Sequence, residues 1–416
     1  MNDTSRTTIV DPIYGYVDIE ADEQRLVSHR IFQRLRFIKQ LPFANVAYPS
    51  ANQTRYEHAI GTMHIASRII SEIDRRPSVV KTMRIAALLH DIGHGPFGHV
   101  FETLLRERHG YEFERPYDSL RRRIILETEI RDILNAAGCS PDEITKIFDA
   151  RENNPILSDI ISSPIDADRI DYILRDSYHA GLPRVIDLEA LVRSCVKSRN
   201  NLVHRIGALN ALEDFLLNRY RLSTSLYFHK DVRSAEIMML EAVRAADDEL
   251  HLSESVRNLG DFLELTDSSL MTHLLDLAPT SPAVKRATDL ARRVVRNELL
   301  PVAFETNLAP RTSRSRDLDE FLDALVVRPH TAVSREMSER ISSLAGVHPE
   351  QVFVDLLVLE MHENIPLETN EKEIRFLDEV STTSRQMFPI NYLRIYTYPN
   401  FVRRVAEVSS RLFSPQ

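Results

Sequence analysis

The chain has 416 residues, 43% hydrophobic and 27% charged, which supplies a sizeable buried core and excludes a disordered or fibrous protein. A net charge of -9 with histidines neutral argues against extended binding to duplex nucleic acid, but not against small phosphorylated ligands that need only a local cationic pocket. Cys139 and Cys195 sit in no metal or redox pattern and read as core residues. With a polar Met1 to Thr8 and no apolar run long enough for a bilayer, the chain is expected to be cytoplasmic and free of membrane contact.

In chain order, Asp11-Pro12-Ile13-Tyr14-Gly15 predicts a turn leading into a short strand that ends at Ile19. From Gln24 to Gln40 the spacing of Leu26, Ile31, Phe32, Leu35 and Ile38 predicts one helix. Tyr48 to Thr54 reads as a loop. It delivers His58 near the start of a helix with the apolar stripe Ala59, Met63, Ala66, Ile70, Ile73. Ser78 is expected to cap the next helix, apolar almost all round from Ile85 to Leu89, which His90 and Asp91 close and Gly93, Gly95 and Pro96 break. Histidine and carboxylate are hard-to-borderline metal ligands, and a His-Asp dipeptide ending a buried helix can place both on one ion.

Residues from about Leu104 to Leu157 predict several helical segments, with breaks at Gly138 to Pro141 and Asn153 to Pro155. The triplet Arg121-Arg122-Arg123 within them reads as a solvated helix face. Ser163-Pro164 opens a helix on which Asp168, Tyr172 and Asp176 share one face at four-residue spacing. Asn210 to Leu250 predicts one long helix carrying Arg219, Arg221, Tyr227, His229 and Lys230. Beyond a polar break at Thr312 to Arg316, Val352 to Leu357 fits a strand or a helical turn, and Tyr392 to Tyr398 alternates like a strand before a closing helix. The fold class is mostly α: a helical core over 1–250 and a smaller α+β portion over 251–416.

Five blocks in this order resemble one family: Asp11 to Gly15, Phe32 to Leu41, Arg55-Tyr56-Glu57-His58, His90 to Phe97, and Asp166 to Asp176. The sequence is similar to the HD-domain phosphohydrolases, and within them to the deoxynucleoside triphosphate (dNTP) triphosphohydrolases, which include the SAM-and-HD-domain enzyme and its bacterial relatives. The resemblance implies hydrolysis of a dNTP at the α-phosphorus to a deoxynucleoside and inorganic triphosphate. It implies one divalent ion, Mg²⁺, Mn²⁺, Fe²⁺ or Zn²⁺, on His58, His90, Asp91 and Asp168. Arg55, Arg169, Arg219 and Lys230 would face the triphosphate. Gln40, Leu41, Tyr172, Asp176 and Tyr227 would form the rest of the substrate pocket, with Tyr172 against the ribose and Asp176 and Gln40 at the 3′-hydroxyl. A homo-oligomer, dimer or tetramer, and a nucleotide activator are implied as well.

The chemistry asks for the same parts. A triphosphate needs cations to neutralise the charge that gathers in the transition state, a divalent ion acidifies water near neutral pH, and the leaving 5′-oxygen needs a proton. His99 is the candidate acid, with Glu102 one turn on to orient it and His94 as a neighbouring phosphate contact. Two positions depart from the family pattern: Tyr117 stands where relatives often have histidine, and Ser28 where the vertebrate type has a carboxylate that reads an activating guanine nucleotide, although Gln33 and Arg36 persist. Two alternative readings use the same residues. One is an HD phosphodiesterase or nuclease acting on a nucleic-acid end or a nucleotide second messenger, although the Gly-Tyr-Pro block of the cyclic-dinucleotide branch is absent. The other is a nucleotide-sensing or nucleic-acid-binding module without turnover.

Overall fold

The computed structural model describes residues 7–109, 116–149, 155–308, 320–324, 330–359, 364–387 and 390–413. The polar break at Thr312 to Arg316 and Asn153-Asn154 lie outside them. The protein is mostly α-helical. The chain opens with an antiparallel hairpin, β1 (Thr7–Asp11) and β2 (Gly15–Ile19), in register from Thr7 opposite Ile19 to Asp11 opposite Gly15. The expected turn is thus flanked by a strand on each side.

The single helix expected over 24–40 is broken. Helices α1 (Ala21–Val27) and α2 (Arg30–Gln33) are followed by a 3-10 turn over Arg34–Phe37. The interruption has a local cause: His29 takes up extended backbone and its imidazole accepts the Ile31 N–H as the N-cap of α2. Two long helices come next, α3 (Arg55–Ile73) and α4 (Pro77–Leu89). The predicted stripe on α3 is buried at Ala59, Met63, Ala66 and Ile70. α4 starts one residue before the expected cap: Pro77, whose missing N–H would be unpaired there in any case, occupies its first turn, and Arg76 stands before it.

Helices α5 (His99–His109), α6 (Pro116–Glu127), α7 (Glu129–Ala136), α8 (Pro141–Asp149) and α9 (Pro155–Ile161) wrap this pair. α10 (Ala167–Ala180) carries the Asp168 motif. It opens at Asp166, whose side chain accepts the Arg169 N–H, rather than at Ser163, and stops at Gly181 in the left-handed region at φ 67. α10 crosses α3 closely because Gly61 has no side chain: a Cβ there would stand 1.8 Å from Asp171 Oδ1. The long helix predicted over 210–250 is two helices, α11 (Leu209–Leu222) and α12 (Lys230–Leu250), joined by a π-helical turn over Ser223–Tyr227. His229 makes the break, capping α12 by accepting the Asp231 N–H.

Further on, helices over Leu259–Glu264, Asp267–Asp276 and Pro282–Val295 pack into the same apolar core, which runs from Val17 to Tyr396. A four-stranded sheet combines β3 (Cys195–Ser198) and β4 (Asn201–Arg205) with β7 (Pro366–Glu368) and β8 (Ile374–Phe376), in the order β3-β4-β7-β8. A three-stranded sheet has the order β5-β9-β6, from β5 (Val302–Asn307), β6 (Val352–Leu359) and β9 (Ile390–Thr397). The strand alternative at 352–357 is therefore the observed one, and the strand expected over 392–398 runs from Ile390 to Thr397. This sheet and the helices over His330–Ala345 and Val402–Phe413 enclose a second, smaller core around Ile341, Leu393, Ile395 and Val405. Among the described residues no helix is long and apolar enough to cross a membrane.

Candidate metal centre and adjoining cavity

Three helix ends meet at one point. His58 lies in the first turn of α3, His90 and Asp91 follow the last residue of α4, and Asp168 lies in the first turn of α10. His58 and His90 are buried, and their Nε2 atoms lie 3.2 Å apart. Asp168 Oδ1 is 2.9 Å from the first and 3.8 Å from the second. Asp91 completes the ring, with Oδ1 3.3 Å from His90 Nε2 and Oδ2 3.8 Å from His58 Nε2.

The outer hydrogen bonds fix which imidazole atoms face inward. His58 Nδ1 donates to Asp171 Oδ2 at 2.7 Å, and His90 Nδ1 donates to the Ala87 carbonyl at 2.7 Å. Both Nε2 atoms then converge beside two carboxylates, a donor set that suits a divalent cation in exchange for the His58 proton. His58, His90 and Asp168 offer ligand atoms all within 4.8 Å of one another. The residues therefore fit a divalent ion. Titration follows the same field. Burial would lower His58, but Asp168 and Asp171 overcome it and push the imidazole up to about 10. Burial would likewise raise Asp91, yet His90, His94 and Arg55 hold it well below the usual carboxylate range.

Asp171 is the residue here that sequence reasoning missed. Fully buried, it accepts from His58, from Arg175 Nε at 2.9 Å and Nη2 at 3.0 Å, and from the Tyr14 hydroxyl at 2.8 Å. Arg175 also bonds Asp11 Oδ2 at 2.9 Å, which ties the N-terminal hairpin to the centre. The available signal was the spacing: Asp171 stands three residues after Asp168 and four before Arg175, on adjoining faces of one helix.

The loop after Asp91 supplies the next layer. His94 Nε2 lies 3.2 Å from Asp91 Oδ1, and its Nδ1 meets Glu102 Oε1 at 2.6 Å. His99 Nδ1 lies 3.0 Å from Glu102 Oε2, so one buried carboxylate bridges both histidines while His99 itself is exposed. Tyr117 stacks on the His94 ring, with centroids 4.4 Å apart and planes 12° from parallel. Arg34 is buried and donates to the His94 carbonyl at 2.9 Å. Phe97 is held at φ 56 while Asp267 accepts its N–H at 2.8 Å. Arg121 is not on a solvated face: it is buried, donates to the His90 carbonyl at 2.9 Å and packs 3.9 Å over the Phe148 ring.

A cavity of about 580 Å³ adjoins the cluster. Of the predicted substrate residues, Gln40, Leu41, Arg55, Tyr172, Asp176 and Tyr227 line it, as does His99. Arg55 also bonds Asp91, the link between the cavity and the His-Asp cluster. Gln40 Oε1 and Arg55 Nε are buried with no partner among the described residues, an arrangement that a ligand would satisfy. Asp176 accepts from Gln53 and from the Tyr227 hydroxyl, each at 2.7 Å, and burial raises its carboxyl to about 6. The π-turn of α11 brings Tyr227 into this position.

Arg169, Arg219 and Lys230 do not line the cavity. Arg169 and Arg219 lie close enough to Tyr172 to pull its hydroxyl down against the raising effect of burial, whereas Lys230 is exposed at the start of α12. Gln33 and Arg36 bond each other at the surface. Arg233 and Glu236, which no motif marks, also line the cavity.

A helical scaffold that gathers histidine and aspartate from separate helix ends beside a polar cavity is the architecture of the His-Asp metal-site proteins. Comparison with known families names the group: the HD-domain family model matches residues 55–175, and the HD associated region matches residues 186–414. The chain belongs to the HD-domain family of phosphohydrolases. An uncharacterised Bacillus subtilis protein, YwfO, is 30% identical over 71% of this chain and 72% of its own length. The Dictyostelium discoideum homologue of the deoxynucleoside triphosphate triphosphohydrolase SAMHD1 is 27% identical over 78% of this chain; the match spans 61% of that protein. The crystal structure of a hypothetical Aquifex aeolicus protein superposes over 97% of this chain and all of its own, with a TM-score of 0.75 at 27% identity.

Proposed function

We propose that the protein hydrolyses deoxynucleoside triphosphates at the α-phosphorus, releasing a deoxynucleoside and inorganic triphosphate. The observation that carries this reading is one juxtaposition: Arg55 bonds Asp91 of the His-Asp cluster and also lines a cavity that presents Tyr172 and Asp176. The kinship with a named dNTP triphosphohydrolase supports it.

In this reading His58, His90, Asp91 and Asp168 hold one divalent ion, which supplies charge neutralisation for the phosphates and acidifies water. Arg55 binds the phosphates at the cluster end, and Arg169, Arg219 and Lys230 add positive charge around them. Leu41 gives the cavity apolar surface. Tyr172 closes on the ribose where a 2′-hydroxyl would lie, excluding ribonucleotides by sterics. Asp176, fixed by Gln53 and Tyr227, accepts the 3′-hydroxyl together with Gln40. His99, oriented by Glu102, protonates the leaving 5′-oxygen, and His94, held by the same carboxylate, contacts phosphate. A nucleotide activator and assembly into a homo-oligomer belong to the same proposal.

The test is product chromatography with each dNTP, each ribonucleotide and a single-stranded oligonucleotide in Mn²⁺, alongside Asp91→Ala. Deoxynucleoside plus intact triphosphate, absent with Asp91→Ala, is the expected result. Shortened oligonucleotide, or diphosphate from the dNTPs, would replace the reading with another phosphohydrolase activity.

A further inference from the structure

Two charged residues of the cavity have no task in the reaction above. Arg233 and Glu236 stand one turn apart on α12, and both line the cavity beside the apolar Phe228, Val232 and Ile237. Their side chains are 28% and 27% exposed, so a ligand can reach them. Asp355, on β6 of the distant three-stranded sheet, clamps the guanidinium through Nε at 3.1 Å and Nη2 at 2.8 Å, and Glu236 Oε2 binds Nη1. Arginine has five N–H donors, and three are used here. Two remain, one on each terminal nitrogen, next to a carboxylate whose Oε1 has no partner among the described residues. The pair is held rigidly by a strand far away in sequence, which is what a recognition element requires.

We propose that Arg233 and Glu236 read the nucleobase, and that the base they select is guanine. This rests on the nucleotide reading given above. A carboxylate beside a guanidinium matches an edge that shows two neighbouring donors next to an acceptor. Guanine has that edge, with N1–H and the N2 amino group facing the carboxylate and O6 facing the guanidinium. Adenine and cytosine each offer one amino donor beside ring acceptors. Thymine offers a single N–H between two carbonyls, one of which would oppose Glu236. Each of these leaves a buried polar group unpaired or two acceptors in contact, and such mismatches discriminate strongly.

The experiment measures kcat/KM for the four dNTPs with Mn²⁺ and, separately, calorimetric binding of the four deoxynucleosides, which needs neither metal nor turnover. The wild type should favour dGTP by roughly 5- to 150-fold, the range a good bidentate pair supplies. Glu236→Gln keeps the shape and loses one acceptor, so the ratio of dGTP to the other three should collapse. Circular dichroism and a melting curve establish that this variant is folded; if it is not, Glu236→Asp and the wild-type ranking decide. Turnover without guanine preference, or an equal loss on all four dNTPs in Glu236→Gln, overturns the base assignment and leaves the hydrolase reading intact. Absence of turnover with selective deoxyguanosine binding upholds the base assignment and rejects the reaction. Absence of both turnover and base preference rejects the two together.

Discussion

Replacing Asp171 with asparagine tests how the metal centre is held. The carboxylate accepts four hydrogen bonds at 2.7 to 3.0 Å, from His58, Tyr14 and two nitrogens of Arg175. Asparagine keeps the volume but turns one acceptor into a donor, so either the His58 and Arg175 Nε pair or the Tyr14 and Arg175 Nη2 pair loses its partner. Breaking one side of a buried ion pair costs about 3–5 kcal/mol, and the remaining Asp11 partner of Arg175 places this case near 3 kcal/mol. Freed from Asp171, the His58 imidazole loses its fixed tautomer, and disturbance of such an outer contact lowers metal affinity roughly 10- to 100-fold. Calorimetric titration of metal-stripped protein with Mn²⁺ reads the affinity, and urea unfolding reads the stability. Tyr14→Phe removes one bond to the same carboxylate without touching His58, and it should weaken Mn²⁺ binding no more than about threefold. A folded Asp171→Asn protein that binds Mn²⁺ as tightly as the wild type would refute the reasoning.

Gly61→Ala should destabilise by about 1–3 kcal/mol and weaken Mn²⁺ binding as well, because the new methyl group would stand 1.8 Å from Asp171 Oδ1 and 2.4 Å from Arg175 Nη2; unchanged urea unfolding would contradict the packing described. Asp176 titrates near 6 folded against 3.8 as an ordinary aspartate, so its ionisation opposes folding: the cost is absent below 3.8, grows as pH rises, and is complete above 6 at about 3 kcal/mol. Urea unfolding from pH 4 to 8 should therefore show Asp176→Asn gaining stability relative to the wild type as pH rises, and a constant difference would exclude this origin. Chelation should lower the thermal midpoint of the wild type, and Mn²⁺ should restore it, since a ligand at a hundred times its Kd adds about 2.7 kcal/mol. His90→Ala should respond to neither.

The parts legible in the sequence were those that local pattern encodes. The stripe on α3, the all-round apolar end of α4 and the alternation over Tyr392 to Tyr398 gave their elements directly, and the spaced histidine and aspartate motifs pointed to the cluster. Two helices were read too long because the interruptions at His29 and His229 depend on imidazole caps, which propensity does not mark as stops. The support around the centre was hidden for a different reason. Tyr14 and Asp171 are 157 residues apart, and Arg233 and Asp355 are 122 apart, so their partnership exists only once the chain has folded. Arg121 hides its role in the same way: beside its ion pair with Asp118 on α6, it is drawn inward by the distant His90 carbonyl and Phe148 ring.

The most direct test of the account is hydrolysis of a dNTP in water enriched in heavy oxygen, with mass spectrometry of both products. Attack of water on the α-phosphorus breaks the bond between that phosphorus and the 5′-oxygen. It therefore leaves one heavy oxygen in the triphosphate and none in the deoxynucleoside. That distribution, lost in His90→Ala, is the predicted result. Heavy oxygen in the deoxynucleoside, or a split into mono- or diphosphate products, would contradict the account.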